Sequence, residues 1–410
     1  MWRAIAALLA VIGSDAAPLQ ATSSGVKPFK IDLTGEASRM LELVKATRLP
    51  NKPVYPTVGA SAGIDLDVLK QLQREWIHGF SWKGEQKELN KYHHFTTDLE
   101  GLNIHFIHER SRDPNAIPLL LLHGWPGSFL EFVPLIESLT QQSKTSNGDP
   151  VSFNIVIPSL PGFAFSTAPK ENWTIADTAR IFNSLMTDLL GYEKFAVHGT
   201  DWGSGVGYSM YEQFNSTVRA LHAPFLPFFP LTEEQLEAAN VTLSPMEQFQ
   251  VQRGDDWYAT GNGYFIEQST KPNTIGLALE DNPVGQLAWI GEKMIEWSDP
   301  RAGTPPSVLN HQEILRSTAL YFLTKSFTSS AFIYFQNPGG FRSDYVQPPT
   351  DAPLLFSSFK YNVGFWPAQM VRRVGNLVYY QSHEFGGHFP GIDNPPALLT
   401  DIREIGRFWA

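Results

Sequence analysis

The segment His198-Gly-Thr-Asp-Trp-Gly-Ser-Gly places Asp201 at the centre of Gly199-x-Asp201-x-Gly203, directly after the apolar run Lys194 to Val197. That is the spacing of a nucleophile elbow, in which small flanking residues permit a sharp strand-to-helix turn that lifts one side chain above a sheet. A carboxylate in that place is a nucleophile able to attack saturated carbon and form an alkyl-enzyme ester, with halide or an epoxide oxygen as the leaving group. The competing explanation, an Asp that merely caps the following helix, leaves the paired glycines and the preceding strand unaccounted for. A serine nucleophile is disfavoured because Ser204 lacks the G-x-S-x-G flanks.

Two more segments belong to the same chemistry. His123-Gly124-Trp125-Pro126 follows an apolar run and is placed to aim the Trp125 N–H, with the Trp202 N–H as companion, at a developing oxyanion. A base is expected late in the chain, in the order nucleophile, acid, histidine, and H-E-F-G-G-H-F-P supplies His383 and His388 there. Their spacing is one residue too long for the helical two-histidine zinc motif, and Gly386-Gly387 would break that helix. No metal and no cofactor is therefore expected. His388, on the Gly-Gly loop, is placed to swing over the elbow and activate water.

These residues need a scaffold. Ile117 to Leu122, Phe153 to Ile157, Lys194 to Val197 and Val218 to Ala223 are short apolar runs separated by stretches of helical spacing. The first such stretch opens at Ser128 with Glu131 three residues on, a capping-box start; the others run Ile175 to Leu190 and Gly203 to Phe214. Buried strands alternating with amphipathic helices predict a mostly parallel sheet covered on both faces, with ligands at the carboxyl ends of its strands. The alternation starts with a period-two strand at about Leu102. Before it, Phe29 to about His94 has helical spacing, as in Leu66, Leu69, Leu72 and Trp76, and predicts a helical N-terminal extension. After Pro224–Pro230 helical patterns fill Thr232 to Phe335, as an inserted lid would, and strands resume at Pro353 to Phe359 and Asn376 to Tyr380 before a closing helix. The predicted divisions are a leader over 1–17, the N-terminal region over 28–100, a core split into 101–224 and 346–410, and a lid over 225–345.

The composition is 42% hydrophobic and 13% aromatic, and the net charge is −10. A chain of that charge has no footprint for phosphate backbones, so no nucleic-acid partner is expected, and the aromatic content fits a pocket for a small apolar ligand. The apolar run Ala4 to Ile12, followed by small residues, is too short to span a bilayer and fits a secretory leader cleaved near Ala16. With the N-glycosylation triplets at Asn172, Asn215 and Asn240, it predicts entry to the secretory pathway and no membrane association once removed. There is no cysteine, so neither a disulfide framework nor a thiolate nucleophile is available. The sequence leaves the oligomeric state open, a homodimer included.

From about Pro28 onward the chain resembles the microsomal-type epoxide hydrolases and their fungal secreted or soluble relatives. The match is carried by P-F-K-I-D-L, W-K-G-E-Q-K-E-L-N-K-Y-H-H-F-T-T-D-L-E-G-L-N-I-H-F-I-H, H-G-W-P-G-S, H-G-T-D-W-G, Q-S-T-K-P-N-T-I-G, D-N-P-V-G-Q-L-A-W-I-G-E-K and G-G-H-F, in order over nearly the whole chain. The resemblance implies an α/β-hydrolase fold and an epoxide hydrolase that yields a vicinal diol. It also implies two lid tyrosines that donate to the epoxide oxygen, which fall on Tyr264 and Tyr334. The family's acid that orients the base falls on Asn362, an amide that can accept from the imidazole but brings no charge. Two alternatives follow from that departure: an epoxide-opening cyclase of secondary metabolism, in which a substrate hydroxyl replaces water, and a catalytically weak binding protein.

Overall fold

The computed structural model describes residues 25–409. Among these, nine strands form one sheet in the order Lys27–Phe29, His94–Leu99, Leu102–Glu109, Phe153–Pro158, Ile117–Leu122, Phe195–Gly199, Val218–Ala223, Pro353–Tyr361, Asn376–Gly387. From Phe153–Pro158 to the far edge all neighbours are parallel; the first three strands join antiparallel. The parallel centre follows from composition: Leu119 to Leu122 and Phe195 to Val197 are fully buried, as strands covered by helices on both faces must be. This is the α/β-hydrolase fold with a helical lid between late strands.

The sheet begins earlier than the expected Leu102. His94–Leu99 pairs with Leu102–Glu109 as a hairpin, and Lys27–Phe29 pairs with it in turn. The turn residues Glu100 and Gly101 both take positive φ (54° and 83°), matching the twist of a two-residue hairpin. A six-residue strand whose buried positions are irregularly spaced carries little period-two signal, and only pairing reveals it. Between these strands lie helices Thr34–Ala46, Leu66–His78 and Trp82–Leu89. Leu69, Leu72 and Trp76 are buried as their spacing predicts, and these helices pack against the lid helices Pro283–Glu296 and His311–Leu323. Arg39 binds Asp281 through both terminal guanidinium nitrogens, and His311 lies 2.9 Å from Glu75, so the N-terminal region braces sheet and lid together.

A second correction concerns Ser128 and Glu131. The segment Phe129–Leu135 is a 3-10 turn containing Pro134, and Ser128 Oγ accepts from the Leu130 N–H. Glu131 therefore does not reach back to close a capping box; its side chain turns inward and is buried. The proposed leader lies outside the described residues. Among those described, no helix is long and apolar enough to cross a membrane.

Candidate active site

Asp201 begins the helix Asp201–Gln213 with φ 47°, a left-handed conformation that a non-glycine residue occupies only where its surroundings enforce it. Thr200 holds the cap position, so Asp201 is no helix cap. The flanking glycines are steric necessities: a Cβ on Gly199 would lie 2.4 Å from the Gly203 carbonyl oxygen, and one on Gly203 would lie 2.1 Å from that of Leu122. Gly124 is required in the same way, because a Cβ there would lie 2.1 Å from Asp201 Oδ1. The Trp125 N–H donates to Asp201 Oδ1 at 2.7 Å. Trp202 follows at the first turn of the helix, where backbone N–H groups lack intrahelical acceptors.

His388 Nε2 lies 3.4 Å from Asp201 Oδ2. Gly386 and Gly387 are the last residues of the strand Asn376–Gly387 rather than a loop, and the imidazole follows directly on it. The ring is 2% exposed and wedged between Phe225, Trp297 and Phe389, with ring centroids 5.0–5.5 Å away. His388 Nδ1 is 2.8 Å from Asn362 Oδ1, so the imidazole is contacted from behind by an uncharged amide. His383 lies on the strand Asn376–Gly387 and bonds Asp401 at 2.6 Å.

The lid supplies the opposite wall. Tyr264, on helix Gly263–Thr270, stacks on the Trp125 ring at 5.3 Å, and Tyr334, on helix Phe327–Gln336, meets Trp202 edge-on at 5.0 Å. The two phenol rings are 5.9 Å apart and perpendicular. Tyr334 Oη is buried near Trp202 and Tyr264 without a well-formed hydrogen bond. Burial holds both phenols far above their ordinary pKa; the Asp201 charge adds to it at Tyr264, and Tyr264 followed by Asp201 adds to it at Tyr334. Both therefore stay protonated donors at neutral pH. Asp201, His388 and both tyrosines line a single cavity whose remaining wall is mostly apolar, including Phe225, Phe229, Trp257 and Phe341.

The groups that support the site had no signal in the local sequence. Glu131 is fully buried, accepts from Thr200 Oγ1 at 3.1 Å, and has its pKa pushed up to about 8 by burial. The capping-box pattern concealed it. Asp299 accepts from the Gly386 N–H at 3.0 Å and donates its own N–H to Asp393, while the His388 N–H donates to the Trp297 carbonyl at 2.8 Å. The chain at His388 is thus clamped to the lid segment 297–299. Asn172, Asn215 and Asn240 are all exposed, although the Asn215 amide nitrogen donates to the Pro349 carbonyl.

Residues 26–132 match the family model described as epoxide hydrolase N terminus, and residues 117–249 match that of the alpha/beta hydrolase fold. The chain is 32% identical to "Epoxide hydrolase 1" of Oryctolagus cuniculus over 95% of this chain and 90% of that protein. It superimposes on the epoxide hydrolase of Aspergillus niger with TM-score 0.79 at 31% identity, covering 94% of this chain and 98% of the other. Against the juvenile hormone epoxide hydrolase of Bombyx mori the TM-score is 0.83 at 28% identity, covering 94% and 95%. An N-terminal region of that family, an α/β-hydrolase core and full-length similarity together make this chain a member of the epoxide hydrolase family, and a hydrolase.

Proposed function

We propose that the chain opens an apolar epoxide by attack of Asp201 on a ring carbon, while Tyr264 and Tyr334 donate to the departing oxygen. The alkyl-enzyme ester is then hydrolysed by water that His388 Nε2 deprotonates, and the tetrahedral oxyanion is held by the Trp125 and Trp202 N–H groups. One observation carries this reading: the Asp201 carboxylate has one oxygen on the Trp125 N–H and the other beside His388 Nε2, in a cavity closed by two protonated phenols. Water as the second nucleophile is favoured over a substrate hydroxyl because Asn362 holds the imidazole in place. The neutral relay that motivated a cyclase or a binding protein is thereby a weaker reason for either. We further propose that the chain enters the secretory pathway, on the leader pattern and the exposed Asn172 and Asn240 side chains.

A single turnover in ¹⁸O-water tests the mechanism. Because water attacks the ester carbonyl, the label is expected first in Asp201 and, on later turnovers, in the diol. Label in the diol on the first turnover, or in neither enzyme nor product, would overturn it.

A further inference from the structure

Ring opening as proposed above breaks a C–O bond as Asp201 forms its ester, and the electron pair passes to the oxygen, which takes a proton from a phenol. When water attacks the ester, His388 takes one of its protons and the regenerated Asp201 carboxyl releases the other, and these two protons neutralise the departing alkoxide and the phenolate. In the interval, negative charge on Tyr264 sits in a cage of Trp125, Trp257 and Trp297, none of which carries charge. Asp201 starts out negative as well, so the cage disfavours the acid it contains.

Lys293 answers that need. Its Nζ stands 5.3 Å from the Tyr264 ring centroid and 4.6 Å from that of Trp289. Among the described residues no other cation stands over Tyr264 or Tyr334. The Lys293 side chain is only 5% exposed, an expensive place for an ammonium. Burial pulls its pKa down, and Glu292 Oε2, 2.9 Å away and partly solvated, opposes that shift by pairing with the ammonium. An ion pair alone would be made more cheaply at the surface, whereas here the ammonium is drawn in against two aromatic faces. Its alignment is also held, since the Trp289 indole N–H donates to Gln268 Oε1 at 3.0 Å and so ties helix Pro283–Glu296 to the Tyr264 helix.

We propose that Lys293 is a positioning residue for ring opening, its ammonium stabilising Tyr264 electrostatically while the phenol gives up its proton. This rests on the acid role given to Tyr264. A cation held against an aromatic face attracts it measurably, and more so when water is excluded.

The test is a double-mutant cycle with styrene oxide, following ester formation and ester decay separately by rapid quench and intact mass. Lys293→Met is expected to slow ester formation about 10- to 30-fold and leave ester decay within about threefold. Lys293→Arg, which keeps the charge, should recover most of the rate. In a Tyr264→Phe background, Lys293→Met should change nothing further. Equal slowing in both backgrounds, equal slowing of both steps, or no recovery with arginine would overturn the proposal. If Tyr264→Phe itself leaves ester formation unchanged, the acid role of Tyr264 fails and the proposal falls with it; if Tyr264→Phe is slow but Lys293→Met is not, only the proposal fails. Should Lys293→Met not fold, Lys293→Gln against Lys293→Arg gives the same comparison of charge.

Discussion

His388 Nδ1 and Asn362 Oδ1 are 2.8 Å apart, and the amide is locked with its oxygen toward the imidazole. Asn362 Nδ2 donates to the Pro224 carbonyl at 3.0 Å, while Oδ1 also accepts from the Val363 N–H at 2.8 Å. An amide so held makes Nδ1 the protonated nitrogen and leaves the unprotonated Nε2 facing Asp201, as the base role proposed for it requires. Asn362→Ala should therefore slow ester decay about 10²- to 10³-fold and leave ester formation nearly unchanged, so that the ester accumulates in single turnovers. Asn362→Asp restores a charge but sets a carboxylate oxygen against the Pro224 carbonyl. Its melting temperature should fall, and an unchanged value would show that the Pro224 contact is dispensable.

Gly124 makes a sharper steric prediction. A methyl group there overlaps the position of Asp201 Oδ1, so Gly124→Ala should displace the nucleophile and cut ester formation by about 10²-fold or more. Circular dichroism should stay native, because the clash falls on a side chain rather than on the sheet. Near-normal ester formation would mean that the carboxylate has another productive position.

Tyr334 separates activity from stability. Its buried hydroxyl lacks a well-formed hydrogen bond, so Tyr334→Phe removes a desolvated polar group at little cost and should leave the melting temperature level or slightly higher. Ester formation should slow by roughly 10- to 100-fold. A fall in stability with activity intact would assign Tyr334 to packing.

Glu131 predicts a pH-dependent stability. Its folded-state pKa of about 8, raised by burial, exceeds the ordinary 4.5 for a glutamate, so its contribution is fully present below pH 4.5 and is lost as pH rises through 8. Glu131→Gln does not titrate. The melting temperature of the variant minus that of the parent should thus grow by a few degrees between pH 5 and pH 8.5, as ionising the buried parent carboxyl costs on the order of a few kcal/mol. A difference that is flat across that range would place the Glu131 pKa near its ordinary value.

What the sequence determines by itself is whatever depends on close neighbours along the chain. The elbow at Asp201 was legible because its geometry is enforced by Gly199 and Gly203, two residues away on each side. The strands at Ile117–Leu122 and Val218–Ala223 were legible because burial on both faces requires continuous apolar runs. The helix carrying Trp76 announced itself by its spacing. Asn362, Tyr264 and Tyr334 needed more than spacing, since nothing local distinguishes a lid tyrosine that packs from one that donates, and similarity to a family supplied them.

Only the tertiary structure decided the groups that act across long separations. Glu131 satisfies a capping-box pattern, yet it folds inward to Thr200, 69 residues away, because the 3-10 turn around Pro134 carries the side chain away from its cap. Asp299 reaches Gly386 across 87 residues, and Lys293 reaches Tyr264 between two separate helices. The first strand of the hairpin, His94–Leu99, became a strand by pairing. Hydrogen bonds and charges of this kind depend on which elements the sheet order brings together, and a one-dimensional pattern holds no record of that order.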